Sequence, residues 1–243
     1  MSEAEKKIAK LARKLRRINP FAKNKLRELK ASVPPKYESH DGFKRQIYPS
    51  YERYVEIQKE ANHLKRDRQY VTEEHIQRLS HYINERLENV SFGLCHGTRQ
   101  GREQKWFASF LNGAPNVIGT EISESADQYP NTIEWDFNQQ NSDWIGLADF
   151  VYSNSWDHSF DPQQTFGLWI ETLRPGGLLI LDHTSDYDTS SVNLVDPVGI
   201  DRDKLIELLN QWFKNGRVVD LLDYSAQDPK YPASVIVYQS EKS

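Results

Sequence analysis

The chain has a single cysteine and no long apolar run. One cysteine, Cys95, among 243 residues excludes an intrachain disulfide framework and fits a reducing, cytoplasmic compartment. No stretch approaches the roughly 20 apolar residues that span a bilayer. The first residues also lack the charged, apolar and small-residue pattern of a signal peptide. With 37% hydrophobic and 27% charged residues, the composition is that of a soluble globular protein.

Charge is distributed unevenly along the chain. Residues 1–30 hold eleven Lys or Arg and three Glu, a net charge of +8, whereas the whole chain has a net charge of -4. The remainder therefore carries -12. Such asymmetry is typical of a basic arm with an anionic partner.

Within this arm, apolar residues recur at helical spacing with basic residues on the other face: Ile8, Leu11, Leu15 and Ile18. Pro20 ends that helix, a second short helix follows over residues 21–29, and residues 33–35 (Val-Pro-Pro) form a stiff linker. Three interpretations remain open: binding to an anionic membrane surface, packing on a partner helix, and a solvated or RNA-contacting arm. The absence of aromatic residues in the basic run counts against RNA.

The segment from residue 37 to 88 is predicted to be a helical lead-in. A helix is expected over residues 51–66, and Thr72 is expected to cap another helix whose apolar stripe starts at Ile76. The tyrosines of this segment either pack it on the core or cover a ligand pocket. Its histidines have no metal-ligand spacing and are interpreted as surface or capping residues: His40, His63, His75 and His81.

Residues 90–181 alternate between apolar runs and helical segments. A glycine loop (residues 93–101) follows the first run, Glu121 ends the second, Asp136 follows the third, and the fourth ends in Asn-Ser-Trp-Asp-His (residues 154–158). Leu-Arg-Pro-Gly-Gly then turns a helix into another apolar strand. This order predicts a parallel sheet with helices on both faces and a ligand site at the carboxyl ends of its strands.

These motifs resemble the class I (Rossmann-like) S-adenosylmethionine-dependent methyltransferase superfamily, most specifically in the last strand–helix–strand segment. The resemblance implies a seven-stranded, mostly parallel, doubly wound α/β sheet with an antiparallel last strand. It also implies an arm and linker over residues 1–36, a methyltransferase domain over residues 37–243 with its core at 89–243, and S-adenosylmethionine as cofactor. Many members have an acid at the position of Gly93 and glycine at Cys95 or Arg99, so a cofactor-free relative is an open alternative.

Glu121 lies about 20 residues beyond the loop, where an acid can accept both ribose hydroxyls. By resemblance, Asp136 accepts a hydrogen bond from the adenine amino group and Phe137 packs on its ring. The remaining expected cofactor contacts come from the loop and the strand ends: Cys95, His96, Gly97, Thr98, Gly101, Ile122, Asn154 and Ser155.

An alcohol acceptor must lose a proton as it is methylated, and a histidine or carboxylate is suited to take it. His158 is the first candidate base, Asp157 the second and His183 a further one; the alternative role for His158 is to cap the next helix or to pack on the cofactor. An acidic stretch follows the fifth strand with a spacing that matches no metal pattern, so no metal is predicted: Asp182, His183, Asp186 and Asp188.

The expected function is methyl transfer to a hydroxyl oxygen of a small-molecule, saccharide or lipid-linked acceptor. The arm at residues 1–30 would concentrate such an enzyme at an anionic membrane. Two alternatives remain, an RNA methyltransferase and a non-catalytic methyltransferase-like scaffold. The oligomeric state does not follow from the sequence.

Overall fold

The computed structural model describes residues 20–241. The helices are α1 (Pro20–Ala31), α2 (Tyr51–Leu64), α3 (Glu73–Arg86), α4 (Arg102–Phe110), α5 (Pro162–Thr172) and α6 (Arg202–Trp212). The strands are β1 (Tyr37–His40), β2 (Phe43–Gln46), β3 (Phe92–His96), β4 (Asn116–Glu121), β5 (Thr132–Glu134), β6 (Ala148–Ser153), β7 (Leu173–His183), β8 (Val198–Ile200), β9 (Gly216–Asp223) and β10 (Ser234–Ser240).

The amphipathic segment predicted over residues 8–18 lies outside the described residues. Within residues 20–241, no helix is both long and apolar enough to cross a membrane.

Seven strands form the central sheet in the order β5-β4-β3-β6-β7-β10-β9. Strands β3 to β7 pair in parallel, and β10 is antiparallel to both of its neighbours. The predicted seven-stranded, mostly parallel sheet with an antiparallel last strand is confirmed. The strand order reverses between β3 and β6, and in such sheets ligands bind beyond the carboxyl ends of the strands at that point.

Both faces of the sheet are covered by apolar side chains because successive residues of a strand point to opposite sides. On one face, Leu94 of β3 packs in a cluster with Trp169 of α5. On the other, Cys95 lies in a cluster with Phe107 of α4. Burial on both faces explains why the middle of β6, residues 150–152 (Phe-Val-Tyr), is apolar without alternation.

The lead-in contains strands that the sequence analysis did not predict. Strands β1 and β2 form a hairpin that turns at Gly42, which has a φ of 65°. Strand β8 then pairs antiparallel to β2 and completes a separate three-stranded sheet. The first ten residues of the predicted helical lead-in (37–88) therefore form a hairpin and not a helix.

Helix α2 begins at Ser50, whose hydroxyl accepts a hydrogen bond from the N–H of Arg53 at 3.2 Å. Its buried face includes Tyr54 and Ile57, and these pack in a third apolar cluster that also contains Val33. Val33 is thus part of a packed cluster rather than of a free linker. Tyr54 donates a hydrogen bond to the carbonyl of His158 at 2.7 Å, which ties α2 to the segment after β6.

Thr72 caps α3 as predicted, since its hydroxyl accepts a hydrogen bond from the N–H of His75 at 3.2 Å. The assignment of His75 to the surface or a cap was wrong, because its side chain is fully buried and its Nε2 lies 2.9 Å from Oδ1 of Asp182. Tyr152 and Tyr231 both donate to the other oxygen of Asp182. This carboxylate therefore joins α3 to the sheet and is fully enclosed.

Candidate functional site

A cavity of about 50 Å³ lies where the carboxyl ends of the central strands meet α2. The strand side of its lining comes from the segments that follow β3, β4, β5 and β6: Gly97, Arg99, Glu121, Ile122, Asp136, Phe137, Ser155 and His158. The α2 side is formed by Tyr54, Gln58, Ala61, Asn62 and Lys65. Four separate strand ends thus converge on one space, as the sequence predicts.

The loop after β3 needs glycine where it passes close to Ser155, in the segment that follows β6. Gly97 has a φ of 77°, and a Cβ atom on it would lie 2.6 Å from Cβ of Ser155. Its N–H donates to the carbonyl of Thr120 at 2.9 Å, which holds the loop against β4. Any larger residue at position 97 would have a strained backbone, and its side chain would clash with Ser155 at the cavity.

Glu121 ends β4 at the cavity and is only 5% exposed. Burial raises the pKa of its carboxyl group, while the charge of Arg99 and hydrogen bonds from backbone N–H groups act in the opposite direction. The bond from the N–H of Ser123 to its Oε1 is 3.2 Å long. The carboxylate is therefore anchored by backbone donors and has remaining acceptor positions for a ligand.

Asp136 also lines the cavity, and α2 already contacts it. The hydroxyl of Tyr51 donates to its Oδ2 at 2.6 Å, and the N–H of Asn138 donates to its Oδ1 at 3.0 Å. The neighbouring Phe137 is fixed through its carbonyl, which accepts from Nε1 of Trp169 at 2.9 Å. An adenine amino group would have to compete with Tyr51 for this carboxylate.

His158 lines the cavity from the short turn after β6. Its Nδ1 is 3.0 Å from Oε1 of Gln58, and its Nε2 is 3.7 Å from Asp196 and 4.0 Å from Asp157. Burial lowers the pKa of the imidazole to about 4, against the opposing charge of Asp196. The ring is therefore neutral at pH 7 and has acidic neighbours to stabilise the protonated form.

Several residues of this site were not identified from the sequence. Asp196 reaches it from the long loop between β7 and β8, and Lys65 forms an ion pair with its Oδ1 at 3.0 Å. Gln58 and Asn62 come from the buried face of α2. A polar residue on an otherwise apolar helix face was the signal available for these two, because such groups are buried only with partners.

Other predicted residues are not part of the cavity lining. Cys95 is buried on the face of the sheet that packs against α4, and burial raises the pKa of its thiol. His96 stacks on Trp169, and burial lowers the pKa of its imidazole to about 3. His183, a candidate base, lies 2.8 Å from the carbonyl of Ile200 through its Nε2. Thr98, Gly101 and Asn154 do not line the cavity either.

The ligand atoms of Asp157, His158 and Asp196 all lie within 4.8 Å of one another. Such a set could hold a metal, but the ammonium of Lys65 already neutralises Asp196. Asp182, the first residue of the acidic stretch after the fifth parallel strand, is engaged by His75, Tyr152 and Tyr231.

The sequence matches no protein-family model and no curated protein. Among solved structures, it is similar to 1,6-didemethyltoxoflavin-N1-methyltransferase of Burkholderia thailandensis, crystallised with its substrate and S-adenosylhomocysteine. The identity is 13%, the TM-score is 0.60, and the match covers 86% of this chain and all (100%) of the other. The N-methyltransferase NodS of Bradyrhizobium japonicum with S-adenosylhomocysteine matches at 12% identity and a TM-score of 0.55, over 75% of this chain and 98% of the other.

The protein has the class I methyltransferase fold. The [4+2]-cyclase SpnF is a further match, with 14% identity, a TM-score of 0.53 and coverage of 69% of this chain and 82% of the other. The class I methyltransferase fold therefore includes proteins that are described by a different reaction, and the chemistry must be argued from the site.

The donor set of the cavity suits an adenosyl cofactor, because two carboxylates end neighbouring strands and a glycine loop faces them. The volume of the cavity does not suit a cofactor as it stands. Ligand pockets commonly have volumes of roughly 300–1,000 Å³, whereas this cavity has about 50 Å³. Side chains of α2, chiefly Tyr54, Gln58 and Asn62, occupy that side of the site. Entry of a cofactor thus requires α2 or its side chains to shift.

Proposed function

We propose that the protein transfers a methyl group from S-adenosylmethionine to a hydroxyl oxygen of a small-molecule acceptor. The observation that carries this proposal is the meeting of Glu121, Asp136 and His158 around one cavity of a methyltransferase fold. Glu121 would hold the ribose and Asp136 the adenine amino group. S-Adenosylmethionine itself would supply a methyl group already activated by the sulfonium.

The protein's own contribution is to orient the acceptor, exclude water and take up a proton. Gln58 supports His158 in this last role. The amide nitrogen of Gln58 faces the hydroxyl of Tyr48 at 3.5 Å, so its oxygen is left to accept from Nδ1 of His158. Nε2, which lies toward Asp157 and Asp196, would be the atom that takes up the acceptor's proton. Asp157 and Asp196 lie next to Nε2 and would stabilise the imidazolium.

A non-catalytic binding protein is the second candidate function. The small volume of the cavity and the Tyr51–Asp136 hydrogen bond favour it, because both oppose entry of a cofactor. The membrane-bound and RNA-binding alternatives depend on residues 1–30, most of which lie outside the described residues, and remain predictions. Saccharide and lipid-linked acceptors are narrower forms of the same proposal.

Calorimetry with S-adenosylmethionine and S-adenosylhomocysteine tests the proposal on the wild type, Glu121→Gln and the control Glu124→Gln. The amide keeps the shape of Glu121 but loses its charge and one acceptor atom. Two charge-assisted hydrogen bonds should weaken by about 1–1.5 kcal/mol each, so the affinity should fall by about 100-fold. Glu124 is exposed, and its variant should bind like the wild type. Failure of the wild type to bind either ligand would reject the proposal.

A further inference from the structure

Arg99 has an unusual backbone conformation for its residue type. Its φ is 43°, in the left-handed region where a side chain is disfavoured and glycine is not. Residues held in this region cost free energy, and they persist where the surroundings or the function require them. Arg99 lies between two glycines of the same loop, Gly97 and Gly101, which also have positive φ. A glycine would suit position 99 equally well in its backbone, so the reason for arginine must lie in its side chain.

The side chain of Arg99 lies along the cavity wall toward α2. Its Nε donates to Oδ1 of Asn62 at 2.7 Å, and one terminal nitrogen donates to the carbonyl of Arg68 at 3.3 Å. The guanidinium carbon lies 5.5 Å from the ring centre of Tyr70. Asn62 is fixed in turn, because its amide donates to Ser123 at 2.7 Å. The guanidinium is therefore held in one position by neutral groups.

The charge of Arg99 has no carboxylate in contact with it. Within residues 20–241, no Asp or Glu oxygen lies within the 4.0 Å ion-pair distance of its guanidinium. Lys65, the other cation of the cavity lining, is different because Asp196 pairs with it at 3.0 Å. A guanidinium has five N–H donors and a geometry that matches a carboxylate through two parallel hydrogen bonds. The bonds to Asn62 and Arg68 leave donors for such a ligand.

We infer that Arg99 binds the carboxylate of the amino-acid end of S-adenosylmethionine. The inference rests on the proposed function. Arg99 lines the same cavity as Glu121, the expected ribose ligand. Its guanidinium lies toward α2, on the side of the loop where Asn62 is bound. Arg99 would thus select an adenosyl ligand that carries its amino-acid carboxylate over one that lacks it.

The test compares S-adenosylmethionine with its decarboxylated analogue, which differs only in lacking the carboxylate. Affinities are measured by calorimetry for the wild type, Arg99→Gly and Arg102→Ala. Glycine tolerates a φ of 43°, so Arg99→Gly should fold, and its binding of the decarboxylated analogue checks this directly. Arg102 is an exposed arginine three residues away and serves as the matched control.

We expect Arg99→Gly to weaken binding of S-adenosylmethionine by about 10- to 100-fold, as for a hydrogen bond between charged groups. Binding of the decarboxylated analogue should change by less than about 3-fold, and Arg102→Ala should match the wild type. Equal weakening of both ligands, no change in either, or tighter binding of both would overturn the inference, because none of these results involves the carboxylate. Absence of binding by every protein, including the wild type, would instead overturn the proposed function and this inference with it.

Discussion

The hydrogen bond between Tyr51 and Asp136 should control access to the cavity. Its length is 2.6 Å, it joins α2 to a predicted adenine ligand, and Gln139 donates to the same hydroxyl at 2.9 Å. A hydrogen bond to a charged group contributes about 1.5–3 kcal/mol, and the lower figure applies because Tyr51 is only partly buried. If adenine replaces Tyr51 at Asp136, this free energy opposes binding. Tyr51→Phe should then raise the affinity for S-adenosylhomocysteine by about 10-fold.

Calorimetry and thermal unfolding together test this prediction. Tyr51→Phe should bind more tightly while its free energy of unfolding falls by about 1.5 kcal/mol, because the phenyl ring keeps the packing with Phe160 but loses the bond. Tyr82→Phe is the matched control. Tyr82 donates a hydrogen bond of 2.5 Å to Asp220, and neither residue lines the cavity. It should lose similar stability with no change in affinity. Unchanged or weaker binding by Tyr51→Phe would refute competition at Asp136.

Three further predictions concern pH and packing. Burial raises the pKa of Glu103 to about 7 from an ordinary value of 4.5, so the folded state binds its proton more tightly and stability falls as pH rises from about 4.5 to 7. Glu103→Gln should remove this dependence and add about 3 kcal/mol at pH 8 in urea unfolding; an unchanged pH profile would contradict it. The imidazole of His158 has a pKa of about 4, so the rate of methyl transfer should change little between pH 6 and 8. His158→Asn should lower kcat at least 100-fold while the affinity for S-adenosylhomocysteine stays the same. Gly97→Ala should cost about 2 kcal/mol and abolish cofactor binding, whereas full binding would show that the loop can move away from Ser155.

The central sheet could be predicted because its signals are local. Each buried parallel strand is a short apolar run that ends in a polar residue, and burial on both faces produces that run directly. Thr72 caps its helix through an interaction three residues away, which the sequence displays. The last two strands follow the same logic, with β10 lying between β7 and β9.

The hairpin of β1 and β2 could not be predicted in this way. Its strands are four residues long, and β1 is largely exposed and polar, so neither strand has an alternating apolar pattern. Strand β8, which pairs with β2, follows it by about 150 residues of sequence and has only three residues. Short strands of a small separate sheet depend on tertiary contacts, which outweigh local propensity.

The cavity-lining residues that follow the strands could be predicted from the sequence, whereas those on α2 could not. Glu121, Asp136 and His158 each end an apolar run and all line the cavity. Asp196 lies in a loop with no motif, and it reaches His158 only through the path of that loop. The contact from Tyr51 to Asp136 joins residues 85 apart, so the closed state of the site depends on how α2 docks.

A crystal structure of the protein grown with S-adenosylhomocysteine tests the central claim most directly. The account predicts the adenosyl group at the carboxyl ends of β4 and β5, with the carboxylate of Glu121 about 2.6–3.2 Å from the ribose hydroxyls. It also predicts that Tyr51 has released Asp136. A ligand bound elsewhere, or a Glu121 carboxylate that does not contact it, would contradict the account.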